Sequence, residues 1–133
     1  MDSPIILFCD DDALRAVRLW EWQNEADRHR TIWVKTVKEA LRVLKEHGDQ
    51  VEQLHLDHDL DGQEVLPTKS SLAGMEVVRW FENLPKQKRE KFLKMAITLH
   101  DHNRFAAKEQ FKRLTTMGFR VKYIPFGLES EVF

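Results

Sequence analysis

Asp57, His58, Asp59 and Asp61 put three carboxylates and an imidazole within five residues, directly after the alternating stretch Gln53-Leu54-His55-Leu56. So much like charge in one place is held by solvent, by hydrogen bonds to the charged form, or by a bound cation. Two further polar clusters follow apolar runs: Asp10-Asp11-Asp12 after Ile5 to Cys9, and His100-Asp101-His102-Asn103 after Met95 to Leu99. Carboxylates from Asp10, Asp11, Asp57 and Asp59 suit a hard cation, Mg²⁺ or Mn²⁺. Imidazoles from His58 or His100 would shift the preference toward Mn²⁺, Fe²⁺ or Zn²⁺. Phosphate is the natural substrate group for such a site, because a metal can bridge two of its oxygens and offset developing charge. Histidine adds an acid or base that titrates near neutrality.

Each cluster also has a plain structural reading: a capped helix start for Asp10 to Asp12, a polar turn for Asp57 to Asp59, and solvated loop histidines at His100 and His102. Two tempting motifs fail. Asp57-x-Asp59-x-Asp61-Gly62 matches the first half of an EF-hand loop, but its twelfth position is Thr68 rather than glutamate. His100-Asp101-His102 opens like a His-x-His zinc motif, yet Arg104 and Phe105 stand where the next ligands of a dinuclear hydrolase would fall.

The clusters need elements to position them. Ile5 to Cys9 reads as a strand buried on both faces, and Ala13 to about Ala26 as a helix capped by an aspartate, with Leu14, Val17, Leu19 and Trp20 at helical spacing. Thr31 to Val34 is a short outer strand. Thr36 caps a helix whose stripe is Val37, Ala40, Leu41 and Leu44, and Gly48 supplies its stop. Val51 to Leu56 is a third strand, and Asp61 to Ala73 a loop longer than a usual strand-to-helix connection. Gly74 to Leu84 reads as a helix with Val77, Val78 and Phe81 inward, followed by a helical turn in the basic segment Lys86 to Lys91. Met95 to Leu99 is a fourth strand. Asn103 caps a helix to about Met117 with Phe105, Phe111 and Leu114 on its buried side and Gly118 at its end, and Arg120 to Ile124 is a fifth strand.

Strands alternating with helices predict an α/β fold with a parallel sheet. Ligands of open α/β sheets sit outside the carboxyl ends of the strands, near the point where strand order reverses. In the order 2-1-3-4-5, the first, third and fourth strands are neighbours spaced by about 4.8 Å. Asp10 or Asp11, Asp57 or Asp59, and His100 or Asn103 then reach one point.

A chain of 133 residues is expected to be one domain, 1–133, burying about two thirds of its unfolded surface. With 21 basic and 22 acidic side chains, no global field argues for DNA or an anionic membrane. The one cysteine, Cys9, excludes a disulfide framework, and the chain shows neither a signal peptide nor a membrane span, so a soluble cytoplasmic protein is expected. Lys86 to Lys94 with Lys108, Lys112 and Arg113 is either a solvated helix face or an RNA-tracking patch.

An Asp-Asp pair after a first strand, an aspartate after a third and a polar residue after a fourth resemble the two-component receiver domain. That family has a three-layer flavodoxin-like fold with a five-stranded parallel sheet of order 2-1-3-4-5. The closer resemblance is to its cyclic-phosphate-processing receiver-like branch, carried by Asp10-Asp11, Leu56-Asp57-His58-Asp59-Leu60, Gly74-Met75-Glu76-Val77-Val78 and His100-Asp101-His102-Asn103. It implies a metal-dependent phosphoesterase-like enzyme acting on cyclic or terminal phosphates of nucleotides or RNA. Asp10, Asp11, Asp57 and Asp59 would serve the metal, with His58 and His100 beside Asp57 in catalysis and Asn103, His102 and Thr98 at the phosphate. Two departures stand out: Ile124 holds the position of the receiver lysine, which argues against phospho-relay through Asp57, and Asp101 replaces the branch's serine. The alternative is a non-catalytic receiver-derived module, a phage or bacterial accessory protein whose Trp20, Trp22 and Phe126 to Phe133 meet a protein partner.

Overall fold

A computed structural model describes residues 4–57, 73–101 and 103–124. Five strands, β1 (Ile5–Cys9), β2 (Thr31–Val34), β3 (Val51–Leu56), β4 (Ala96–Leu99) and β5 (Arg120–Tyr123), form one parallel sheet in the order β2-β1-β3-β4-β5. The flavodoxin-like order expected from the sequence is the one observed. Between the strands run α1 (Ala13–Trp22), α2 (Glu25–His29), α3 (Val37–His47), α4 (Met75–Asn83), α5 (Lys86–Glu90) and α6 (Arg104–Thr116).

Helix starts follow their capping residues. Asp12 accepts from the Leu14 and Arg15 amides, Thr36 from Glu39 N and Asn103 from Ala106 N, each satisfying an amide that the first turn leaves without an intrahelical partner. Glu39 Oε1 reaches back to accept from the Lys35 amide and the Thr36 hydroxyl, tying the first turn to the residues before it. The expected single helix to Ala26 is two: Gln23 closes α1 in an extended conformation, and Asn24 caps α2 by accepting from Asp27 N. Gly118, with φ +101°, ends α6 in the left-handed region that glycine enters without strain.

Gly48 closes α3 as expected, but not in a left-handed conformation. It keeps helical angles (φ −60°, ψ −32°) and opens a 3-10 turn, Gly48–Gln50. Space is what demands glycine there, because a Cβ would stand 2.2 Å from Phe92 Cε1. Phe92 has little room to yield, since Trp80 and Phe81 meet its ring edge-on at 5.5 and 5.4 Å. Gly48→Ala is therefore expected to lower stability by about 1–3 kcal/mol through overpacking, read as a lower urea midpoint at unchanged slope.

The core is lopsided. Leu7, Cys9, Leu54, Leu56, Ile97 and Leu99 face a large cluster built with α3, α4 and α6, whereas Phe8 on the other face meets Leu19 and Ala16 of α1 in a small one. Two expected core positions are exposed: Leu14 of α1 at 80% and Phe105 of α6 at 75%. Val17, Trp20 and Trp22 are also about half exposed. No helix among the described residues is long and apolar enough to cross a membrane.

Candidate functional site

The sheet ladder runs one residue past its strands, and that overrun builds the site. Asp10 N–H donates to Val34 O at 3.1 Å, Asp57 N–H to Cys9 O at 3.0 Å, and His100 N–H to Leu56 O at 3.0 Å. Side chains alternate along strands, and Phe8 pairs with His55 in the β1–β3 register, so Asp10 and Asp57 point to the α1 side of the sheet. This is also where the chain order reverses, β2 lying on one side of β1 and β3 on the other.

One oxygen each of Asp10, Asp11 and Asp57 lies within 4.8 Å of the others. The sequence reading brought these three together. It missed the fourth member, Arg15, which stands in the first turn of α1 and folds back over the strand ends. Its Nη2 donates to Asp10 Oδ1 at 3.0 Å and to Asp57 Oδ2 at 3.3 Å, and lies 3.8 Å from Asp11 Oδ1. Its Nε is 2.8 Å from Asp10 Oδ2, close enough for strong attraction but out of line for a hydrogen bond. The signal was present in the spacing, since residues three and four before a helical arginine, here Asp12 and Asp11, share its face.

Burial sets the electrostatics. Asp10 is fully buried, and desolvation pushes its carboxyl above the ordinary aspartate value despite the opposing pull of Arg15 and the Asp12 amide. Burial also works against the Arg15 charge, but Asp10, Asp57 and Asp12 overcome it and hold the guanidinium above its usual range. Three carboxylates thus converge on one guanidinium. Trp33 Nε1 donates to the Asp10 carbonyl at 2.6 Å and fixes the backbone there. The neighbouring Cys9 thiol is held protonated by burial and by Asp10, and offers no nucleophile.

His100 is turned away from this arrangement. Its Nδ1 lies 2.7 Å from the Ile124 carbonyl and its Nε2 2.7 Å from Nδ1 of His55, a residue the sequence reading treated only as strand. The carbonyl can only accept, so His100 Nδ1 donates to it. In the neutral pair, His55 Nδ1 then donates to the bare His100 Nε2. Burial, with a contribution from His100, pushes His55 down to about 3.

Asn103 caps α6, and Thr98 sits within β4, level with His55 and Lys122, where it lines a groove of about 600 Å³ with Gln53 and Arg120. The structure thus places Thr98 along the sheet face rather than at the strand tips. Tyr123 donates its hydroxyl to the Asp101 carbonyl at 2.8 Å, anchoring the turn after β4. His58, Asp59 and His102 lie outside the described residues, as do Asp61 and Phe126 to Phe133. In the basic set, Arg113 is ion-paired with Glu82.

The family model described as "Cyclic-phosphate processing Receiver domain" matches residues 5–116. The chain belongs to this family. Solved structures place this receiver domain in the same fold: the signal receiver domain of a protein described as a Luxo repressor from Vibrio parahaemolyticus has a TM-score of 0.59 at 13% identity, covering 94% of this chain and 79% of that one. The N-terminal domain of an uncharacterized protein from Wolinella succinogenes has a TM-score of 0.58 at 12% identity, covering 96% and 85%. No curated protein matches the sequence. The receiver domain's donor set suits a divalent cation on its own chemistry: it is all carboxylate oxygen, and the fully buried Asp10 Oδ2 has no hydrogen bond.

Proposed function

We propose that this receiver-like domain is a divalent-metal-dependent phosphoesterase for cyclic or terminal phosphates of nucleotides or RNA. The observation that carries the reading is the three-carboxylate set at the strand tips, in a family described by cyclic-phosphate processing. Asp10, Asp11 and Asp57 would hold Mg²⁺ or Mn²⁺, with Asp59 as a further ligand or an orienter of histidine. When bound, the metal polarises a phosphate oxygen and offsets the charge that builds on it. His58, next to Asp57, is the acid or base that moves a proton to or from the reacting oxygen. His100 could share that role only by releasing His55 or the Ile124 carbonyl, so we assign it the support of the site's floor. The Asn103 amide, at the start of α6, offers a donor for phosphate, with His102 beside it.

The test is turnover of 2′,3′-cyclic nucleotides and phosphorylated RNA ends with Mg²⁺ or Mn²⁺. Wild type is expected to be active, and Asp57→Asn to lose about a hundredfold or more, since even the partners behind metal ligands are worth about 10–100-fold. Equal activity in the variant, or none in wild type with either metal, defeats the proposal.

One observation favours a second reading, a non-catalytic interaction module: Leu14, Val17, Trp20 and Trp22 expose apolar surface along α1. A stable complex that survives Asp57→Asn and needs no metal would support it.

A further inference from the structure

A divalent cation and the Arg15 guanidinium cannot share this cage. The three donor oxygens lie within 4.8 Å of one another, and Arg15 already contacts a carboxylate of each residue that supplies them. The guanidinium is a weakly hydrated, planar cation, and it satisfies the cage poorly: Nε and Asp10 Oδ2 face each other at 2.8 Å without a hydrogen bond. A divalent ion would bring twice the charge of the guanidinium to the same oxygens. The Arg15 side chain is one quarter exposed, so it has a route out to solvent, while Asp10 is buried beneath it.

We infer that Arg15 is a tethered counter-ion occupying the cation seat, and that a divalent metal enters only by displacing it. Metal binding and release of Arg15 are then one equilibrium. The measured affinity is the intrinsic affinity of the carboxylates reduced by the preference of the guanidinium for the closed state. In the metal-loaded state the freed guanidinium stays tethered at the rim, in the first turn of α1. This inference rests on the carboxylates being the metal site.

The experiment is calorimetric titration of Mn²⁺ into the full chain, for wild type, Arg15→Met and Arg15→Gln. Both variants are expected to bind Mn²⁺ at least about tenfold more tightly than wild type. Their thermal midpoints without metal should fall, since Asp10 and Asp57 lose their counter-ion, and should rise more on adding Mn²⁺ than wild type does. Arg15→Gln covers the case in which Arg15→Met fails to fold. Equal or weaker Mn²⁺ affinity in a folded variant, with wild type binding, overturns the counter-ion role and leaves the metal site standing. Absence of binding in wild type and variants alike overturns both.

Discussion

Acidification from pH 7 to pH 5 is expected to cost this fold about 1–2 kcal/mol through His55 alone, with further loss toward pH 3. His55 and His100 meet nitrogen to nitrogen at 2.7 Å, an arrangement that needs one donor and one bare acceptor. Protonating both rings would set two N–H groups head to head, so the pair rejects a second proton while it stays packed against Phe8. Burial of the ring, with a contribution from His100, holds His55 near 3 in the folded state, against about 6.5 in the unfolded chain. The folded value lies below the unfolded one, so the unfolded state binds more protons, and stability rises with pH across this window. The contribution is fully present above about pH 6.5 and is lost as pH falls toward 3. Full linkage would give about 2 kcal/mol at pH 5, and the residual solvent contact of the ring keeps the expectation at or below that figure. Urea unfolding of wild type and His55→Leu at pH 7 and pH 5 reads it directly. The variant should be less stable at pH 7, because His100 Nε2 loses its donor, but its stability should vary less with pH. Parallel pH slopes for the two proteins would remove His55 as the cause.

The strands, the parallel sheet and three helix caps were legible in the sequence because each depends on signals a few residues apart. Asp12, Thr36 and Asn103 are short polar side chains just before apolar periodicity, and each caps the helix expected of it. Asp10, Asp11 and Asp57 came together once strand order was supplied, since adjacent tips are separated by one strand spacing. Periodicity does not report whether a stripe finds a partner. Leu14 and Val17 carry the right spacing on α1, yet they stand exposed. The break at Gln23 carries only a local signal, Asn24 three residues before the amide it receives, and the apolar spacing running through it to Ala26 masks that cap. His55 was invisible for a different reason: its partner is 45 residues away, and only register puts Phe8, His55 and His100 on one face. Arg15 sits between these cases. Its spacing from Asp11 and Asp12 was local and readable, but its closure onto Asp57, 42 residues on, was tertiary.

Phe81→Ala is expected to be the most damaging single change, at about 3–5 kcal/mol, and to leave the chemistry of the strand tips intact. Phe81 is fully buried on α4, with its ring 5.4 Å from Phe92, 4.9 Å from Phe119 and 5.1 Å from Trp80. Those contacts join α4, the segment entering β4 and the segment entering β5. The variant would lose the transfer free energy of a large side chain and leave a cavity that its neighbours cannot close: Phe92 is blocked by the backbone at Gly48, and Phe119 is fixed by the turn at Gly118. Loss of the edge-to-face contacts adds to this. Phe81 faces the α3, α4 and α6 side of the sheet, whereas Asp10, Asp57 and Arg15 gather on the α1 side. Chemical denaturation at low temperature should thus show a large fall in midpoint. Mn²⁺ affinity of the folded fraction, read by the same calorimetry as for Arg15→Met, should stay within about twofold of wild type, because sites more than about 7–10 Å apart with no shared partners act independently. A Phe81→Ala protein that remains folded but no longer binds Mn²⁺ would mean that the two faces of the sheet are coupled, and that the carboxylate set depends on the packing beneath it.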